Sequence, residues 1–186
     1  IYSSTSSGNG LKNNVPLNEE MPDDCLNPYS VTKVSGEKLC KMYTDLFGLE
    51  TVTFRYFNVY GERQPIIGQY APVIGIFIRQ RDSGESMTIV GDGKQRRDFT
   101  HVSDVVTANV LASVLENKEA VGKVLNIGTG INHSILEIAK LIGDNYTFIE
   151  SRLGEAQETL ANTDRAKEML GWTPSVKLED WLKENS

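Results

Sequence analysis

Asn27-Pro28-Tyr29-Ser30-Val31-Thr32-Lys33 decides the reading of this chain. Spacing of four puts the phenol of Tyr29 and the ammonium of Lys33 on one face of a helix. Pro28 suits the first turn, so the tyrosine falls at a helix start, where the dipole also favours an anion. A phenol, with an ordinary pKa of about 10, is a poor base at neutral pH, and a fixed cation beside it favours the phenolate. The pair is therefore a candidate acid/base unit, although Tyr and Lys at this spacing also occur on plain solvated helix faces.

Periodicity extends the reading outward. A helix is expected over 29–47, ended by Gly48, then a β-branched and aromatic strand over 51–57 with a turn at Gly61. A helix over 72–81 follows, with Val73, Ile76 and Phe77 as its apolar positions, and a short strand over 87–90 leads into Gly91-Asp92-Gly93. Further elements are a helix over 104–115, a buried strand over 123–127, and a helix over 134–142 with the capping pair Ser134 and Glu137. The tail predicts strands near 146–151 and 158–162 and helices over 163–170 and 178–183. Strands alternating with helices imply an α/β sheet.

Composition excludes several classes. Of the 186 residues 39% are hydrophobic and 24% charged, ordinary for a globular chain, and no apolar run approaches the ~20 residues of a membrane span. A net charge of -6 argues against a nucleic-acid surface, and the composition suits a cytoplasmic protein. Cys25 and Cys40 form no CxxC; both are expected reduced, with Cys40 helical and buried. His101 and His133 are too few and too far apart for a metal cluster.

The pair does not stand alone. Ile1-Tyr2-Ser3-Ser4-Thr5-Ser6-Ser7 runs from an apolar strand end into five hydroxyl residues, and with Tyr29 and Lys33 it resembles the Ser/Thr, Tyr, Lys triad of the extended short-chain dehydrogenase/reductases, in their nucleotide-sugar epimerase/dehydratase branch. Arg55-Tyr56-Phe57-Asn58-Val59-Tyr60-Gly61, Gly91-Asp92-Gly93 with Arg97-Asp98-Phe99-Thr100-His101-Val102, Leu125-Asn126-Ile127-Gly128-Thr129-Gly130, Arg152-Leu153-Gly154-Glu155 and Leu170-Gly171-Trp172 agree with it in order, over essentially the whole chain. The resemblance implies the C-terminal part of a doubly wound Rossmann-like parallel sheet plus a smaller α/β substrate-binding lobe. Residues 1–60 and 97–130 are then the remainder of the NAD-binding domain, and 61–96 and 131–186 the nucleotide-sugar lobe. Neither G-x-x-G-x-x-G nor G-x-G-x-x-G follows a strand here. About four βαβ-sized units, on the order of 120 residues, are expected to be missing from the front, and the Ile start reads as truncation rather than a signal peptide.

The resemblance also assigns roles. Tyr29 would take a proton from a sugar hydroxyl as hydride leaves the same carbon for NAD, Lys33 would hold the cofactor ribose, and Thr5 would bond the reacting oxygen. Thr5 stands five residues before Gly10, where the family places its catalytic Ser or Thr; Ser4 and Ser6 are alternatives. Ser3, Tyr56 and Phe57 join Tyr29 and Lys33 on the cofactor side, with Phe57 either near the nicotinamide or in the core. For the substrate, Arg97 and Arg152 would clamp the diphosphate with paired donors. Arg97 alternatively pairs with Asp98, and Glu155 is alternatively an exposed carboxylate. Asn58 would donate to the same diphosphate, Glu155 would accept from the ribose, and backbone groups of Thr88 and Val90 would read the base. Thr159 corresponds to the site where an aromatic restricts the sugar C2 substituent, so a small residue leaves room for an N-acetyl group. Asn126 and Trp172 are expected to be structural.

Dehydratases of the branch carry Thr-Asp-Glu at the catalytic turn, whereas here Ser6-Ser7 follow Thr5. Without that acid pair elimination lacks its acid and base, which leaves C4 epimerisation of a UDP-sugar, with UDP-glucuronate decarboxylation or a dehydratase as rivals. A binding relative without catalysis is the alternative of another class. The family usually shows Val-Tyr-Gly where this chain has Gly8-Asn9-Gly10, which alters part of the sugar pocket. A homodimer through helix 29–47 is implied, although Val34, Leu39, Met42 and Leu46 could equally face the sheet.

Overall fold

The computed structural model describes residues 1–68, 71–114, 118–151 and 156–185. Strand β1 (Tyr2–Thr5) leads through a single 3-10 turn and a long connection to helix α1 (Pro28–Phe47), which returns to β2 (Thr53–Tyr56). α1 starts where the sequence says it should: Asn27 accepts from Ser30 N–H at 2.9 Å, Ser30 Oγ receives the Asn27 N–H in return, and Pro28 occupies the first turn. It stops at Gly48, in the left-handed region at φ 70°.

A two-residue strand β3 (Val59–Tyr60) precedes helix α2 (Val73–Asp82), β4 (Met87–Val90), β5 (Arg96–Asp98) and β6 (Thr100–His101). Helix α3 (Val102–Ser113) begins two residues earlier than the apolar pattern predicts, because His101 Nδ1 accepts from Ser103 N–H and serves as the cap. Then come β7 (Val124–Ile127), β8 (Asn132–Ser134), α4 (Ile135–Ile142), β9 (Tyr146–Ile149), α5 (Asp164–Leu170) and α6 (Leu178–Asn185). Ser134 and Glu137 form the expected capping box of α4.

The principal sheet is parallel, in the order β1-β2-β7, with Tyr2 opposite Thr53 and Thr53 opposite Val124. β4 pairs β9 in parallel, β3 pairs β6 in parallel, and β5 pairs β8 antiparallel. One core joins Phe54, Leu125 and Ile127 of the sheet to Ala108 of α3 and Ala166, Leu170 and Trp172 around α5. A second gathers Tyr60, Phe77, Ile89, Ile138, Trp181 and Leu182 between α2, α4, α6 and β4. Trp172 is fully buried and its indole N–H donates to Asp104 O at 2.9 Å, so it is the structural anchor expected of it. Asn126 is structural too, its amide donating to Leu17 O at 2.9 Å.

Two expectations need correction. The strand near 158–162 is not formed: its backbone bonds divide between Leu17 and Arg96, giving isolated bridges Leu17 to Ala161 and Arg96 to Glu158. The segment is a connector that bonds two separate elements, which an apolar-polar alternation cannot distinguish from a ladder strand. Cys40 is helical but only half-buried.

Candidate active site

The carboxyl end of β1 carries the hydroxyl cluster. Thr5 caps the following 3-10 turn: its Oγ1 accepts from Ser7 N–H at 3.2 Å and donates to Ser7 Oγ at 3.1 Å. Ser4 points elsewhere, donating to the buried carboxylate of Glu37. Lys33 reaches from α1 to donate to Ser3 O at 2.9 Å, and its ammonium sits 5.9 Å from the centre of the Tyr29 ring. Tyr29 keeps 47% of its surface exposed. Ser3 Oγ lies 3.4 Å from Tyr56 Oη, which also receives the Asn109 amide at 3.0 Å. Phe57 is fully buried against Leu17 and Ala161.

Beside this end lies a cleft of about 820 Å³. Asn58, Thr88, Val90, Arg97 and Thr159 all line it, drawn from residues spread over a hundred positions of the chain. Ser7 and Asn27, neighbours of Thr5 and Tyr29, line it too, while Thr5, Tyr29 and Lys33 stand outside its wall. Arg152 and Glu155 lie outside the described residues.

The cleft wall is held by side chains that the sequence reading passed over. Asp98 is completely buried and its carboxylate accepts from Thr129 N and Oγ1, Gly130 N and Ala161 N at 2.7 to 3.0 Å. Burial pushes this carboxyl above its ordinary pKa, and those hydrogen bonds oppose the push. With its carboxylate so engaged, Asp98 holds the loop after β7 and the segment around Ala161, while Arg97 Nη1 donates to Arg96 O at 2.9 Å. Asn58, at φ 29°, donates to Asp98 O at 2.8 Å and to Thr159 Oγ1 at 3.4 Å. Its left-handed backbone is a local strain that the amide bonds fix in place.

On the opposite side Gln80 grips β4: it accepts from Thr88 N–H at 3.1 Å and donates to Thr88 Oγ1 at 3.0 Å. Gln95 donates to Val90 O at 2.9 Å. Gln80 was detectable as a polar residue on the apolar face of its helix, since Ile76 and Phe77 precede it at helical spacing. At one end of the cleft Trp181 donates to Glu62, which holds that carboxylate below the usual range, and Tyr60 is pushed upward by burial. Among the described residues no group of His, Cys, Asp and Glu has the makings of a metal site.

A parallel β1-β2-β7 sheet packed by helices, with Lys33 bonded to β1 beside Tyr29 and a cleft alongside, defines an α/β protein of Rossmann-like architecture. The chain belongs to the NAD dependent epimerase/dehydratase family, whose model matches residues 1–128. It is 37% identical over 187 residues to a UDP-glucose 4-epimerase of Mycolicibacterium smegmatis, covering 96% of this chain and 58% of that one. The solved UDP-N-acetylglucosamine 4-epimerase of Methanobrevibacter ruminantium, in complex with UDP-N-acetylmuramic acid, superposes with a TM-score of 0.90 at 33% identity, over 99% of this chain and 60% of that one. The UDP-glucuronic acid 4-epimerase of Bacillus cereus, with UDP-glucuronic acid and NAD, gives 0.86 at 36% identity, over 97% and 58%. The chain thus spans about six-tenths of the length of the relatives it matches.

Proposed function

We propose that the full-length protein carrying this chain is an NAD-dependent nucleotide-sugar 4-epimerase acting on UDP-glucose/galactose or a UDP-N-acetylhexosamine. The observation that carries the reading is the exposed Tyr29 phenol with the Lys33 ammonium anchored beside it on β1, next to a cleft of nucleotide-sugar size. The described residues fit the nicotinamide side of NAD: the exposed phenol of Tyr29 lies beside the Lys33 ammonium, which bonds Ser3 of β1, the strand that runs into the hydroxyl cluster. When bound beside Tyr29 and Lys33, NAD would supply a reversible hydride acceptor for C4. Tyr29 removes the proton from the C4 hydroxyl and restores it, and Lys33 stabilises the negative charge on the phenol oxygen. Thr5, with Ser7 hydrogen-bonded to it, orients that hydroxyl.

Within the cleft Arg97 and Asn58, with Arg152, hold the diphosphate. Backbone groups of Thr88 and Val90 read the base, Glu155 takes the ribose, and Thr159 leaves room at C2. Ser3 and Tyr56 support the cofactor side. Residues 1–60 and 97–130 serve as the cofactor part and 61–96 and 131–186 as the sugar part. Leu39, Met42 and Leu46 are exposed along α1, Leu46 by 68%, which supports a homodimer through this helix. Among the described residues no helix is long and apolar enough to cross a membrane, and a cytoplasmic site of action is proposed with the rest.

The test is incubation of the full-length protein with UDP-galactose and, separately, UDP-N-acetylgalactosamine, followed by proton NMR. Appearance of the gluco epimer without net NADH supports the reading, and the accepted substrate reports on Thr159. Turnover confined to UDP-glucuronate with loss of carbon dioxide, or to a deoxythymidine sugar with loss of water, overturns it.

A further inference from the structure

Behind Tyr29 and Lys33 lies a buried cluster of charge to which the proposed reaction gives no role. Glu37 follows Lys33 by four residues, as Lys33 follows Tyr29, so the three share one stripe of α1. The side chains of Glu37 and Arg55 are each only 5% exposed. Arg55 donates from Nε to Glu37 Oε1 at 2.9 Å and from Nη2 to Oε2 at 2.7 Å, a two-pronged pairing. Ser4 Oγ donates to the same Oε1, and Arg55 Nη2 also reaches Asp23 at 3.3 Å. Ser4 and Arg55 are register partners in β1 and β2, so one carboxylate ties α1 to two adjacent strands, at the residue before Thr5.

Stability alone is a weak reason for this arrangement. Burying two ions costs several kcal/mol each before their attraction is counted, and well-packed apolar residues of similar volume often hold such a site as firmly or more so. An apolar contact, however, tolerates sliding and rotation. A forked ion pair with a third hydrogen bond fixes both, and here it fixes where α1 stands along β1. The Lys33 bond to Ser3 O is a second tie on the same stripe, one helical turn nearer Tyr29.

We infer that Glu37, Arg55 and Ser4 form a positioning unit that sets the height and rotation of Tyr29 and Lys33 over the hydroxyl end of β1. The inference rests on the reading of Tyr29 as the proton-transfer group. None of the three touches the cleft, and each acts through the helix it holds.

The experiment replaces the unit with apolar residues, so that no charge or hydroxyl is left unpaired: Ser4→Ala, Glu37→Leu and Arg55→Met together, in the full-length protein with NAD. Asp23 keeps its partner Lys38. The expected result is a folded protein with unchanged nucleotide-sugar KM, kcat lower by on the order of tenfold to a hundredfold, and a displaced Tyr29 signal. That signal is read in protein labelled with carbon-13 at the tyrosine ring, and it is assigned by its loss in Tyr29→Phe. A folded triple variant with unchanged kcat and an unmoved Tyr29 signal overturns the inference, as does a loss of melting temperature with turnover of the folded fraction intact. Should the triple variant not fold, Glu37→Gln keeps the shape and one acceptor oxygen, and an unmoved Tyr29 signal there overturns the inference equally. The ring signal needs no substrate, so absence of epimerisation by the unaltered protein would count against the functional reading alone.

Discussion

The end of β1 and the cleft beside it are built by opposite means. The first is local: Thr5 and Ser7 are two residues apart, Tyr29 and Lys33 one helical turn apart, and the parts are pinned by the Lys33 bond to Ser3 and the buried Ser4 bond to Glu37. The second is assembled across the chain, since Asn58, Thr88, Arg97 and Thr159 meet only because β3 through β6 and the connector after β9 fold around one space. On the proposed reading, chemistry that must be placed to a fraction of an ångström sits on regular elements, and recognition, which varies with the substrate, sits on loops and short strands.

Breaking the local region should have the largest effect. Tyr29→Phe in the full-length protein removes the proton acceptor without changing the ring. Steady-state kinetics should show kcat lower by about 10²–10⁴ with nucleotide-sugar KM little altered, and an unchanged rate would take Tyr29 out of the mechanism.

Next in size is the internal support of the cleft. Asp98→Asn turns an acceptor into a donor facing the N–H groups of Gly130 and Ala161. The expected cost is about 2–4 kcal/mol of unfolding free energy by denaturant titration, together with a raised KM. A stability loss of a few tenths would show that those backbone groups find other partners.

A smaller change sharpens the comparison. Thr159→Tyr fills the space proposed for the sugar C2 substituent and removes the hydroxyl that receives Asn58 and the Asp98 N–H. The ratio of kcat/KM for N-acetylated over plain hexose substrates should fall about tenfold or more, and a constant ratio would place the C2 group elsewhere.

The smallest effect is electrostatic and involves Glu137, paired at 3.3 Å with Arg96, the neighbour of Arg97. Glu137 is held below the usual carboxylate range by the Ser134 N–H of its capping box, with Arg96 adding to the effect. Because its folded pKa is depressed, its contribution is present above the unfolded value and is lost as pH falls through the folded one. Glu137→Gln should therefore cost less than about 1 kcal/mol at pH 7, and the gap to the unaltered protein should close below about pH 4 in thermal melts.

These regions differ in legibility for the same physical reason. Helical spacing is written within a few residues, so α1, with Pro28 in its first turn and its Tyr29-Lys33 face, could be read directly. The motifs around Arg55, Arg97 and Leu125 carried a family pattern, and the order β1-β2-β7 follows it. Asp98 and the Glu37-Arg55 pair escaped because their partners lie on other elements; Asp98 meets Ala161 only after the connector folds back. A charged Arg55 inside the apolar strand Thr53–Tyr56 was the available signal, since a buried charge demands a partner. The expected strand near 158–162 failed for the converse reason: it has strand-like residues without a single neighbour to pair with.

The central claim is that one site removes hydrogen from C4 and gives it back. Its most direct test is a nucleotide sugar carrying deuterium at C4, incubated with the full-length protein and followed by proton NMR. The account predicts that the C4 epimer forms with deuterium still on C4 and no hydrogen taken from water. Epimer with the label washed out, or no epimer from any C4-labelled sugar, would contradict it.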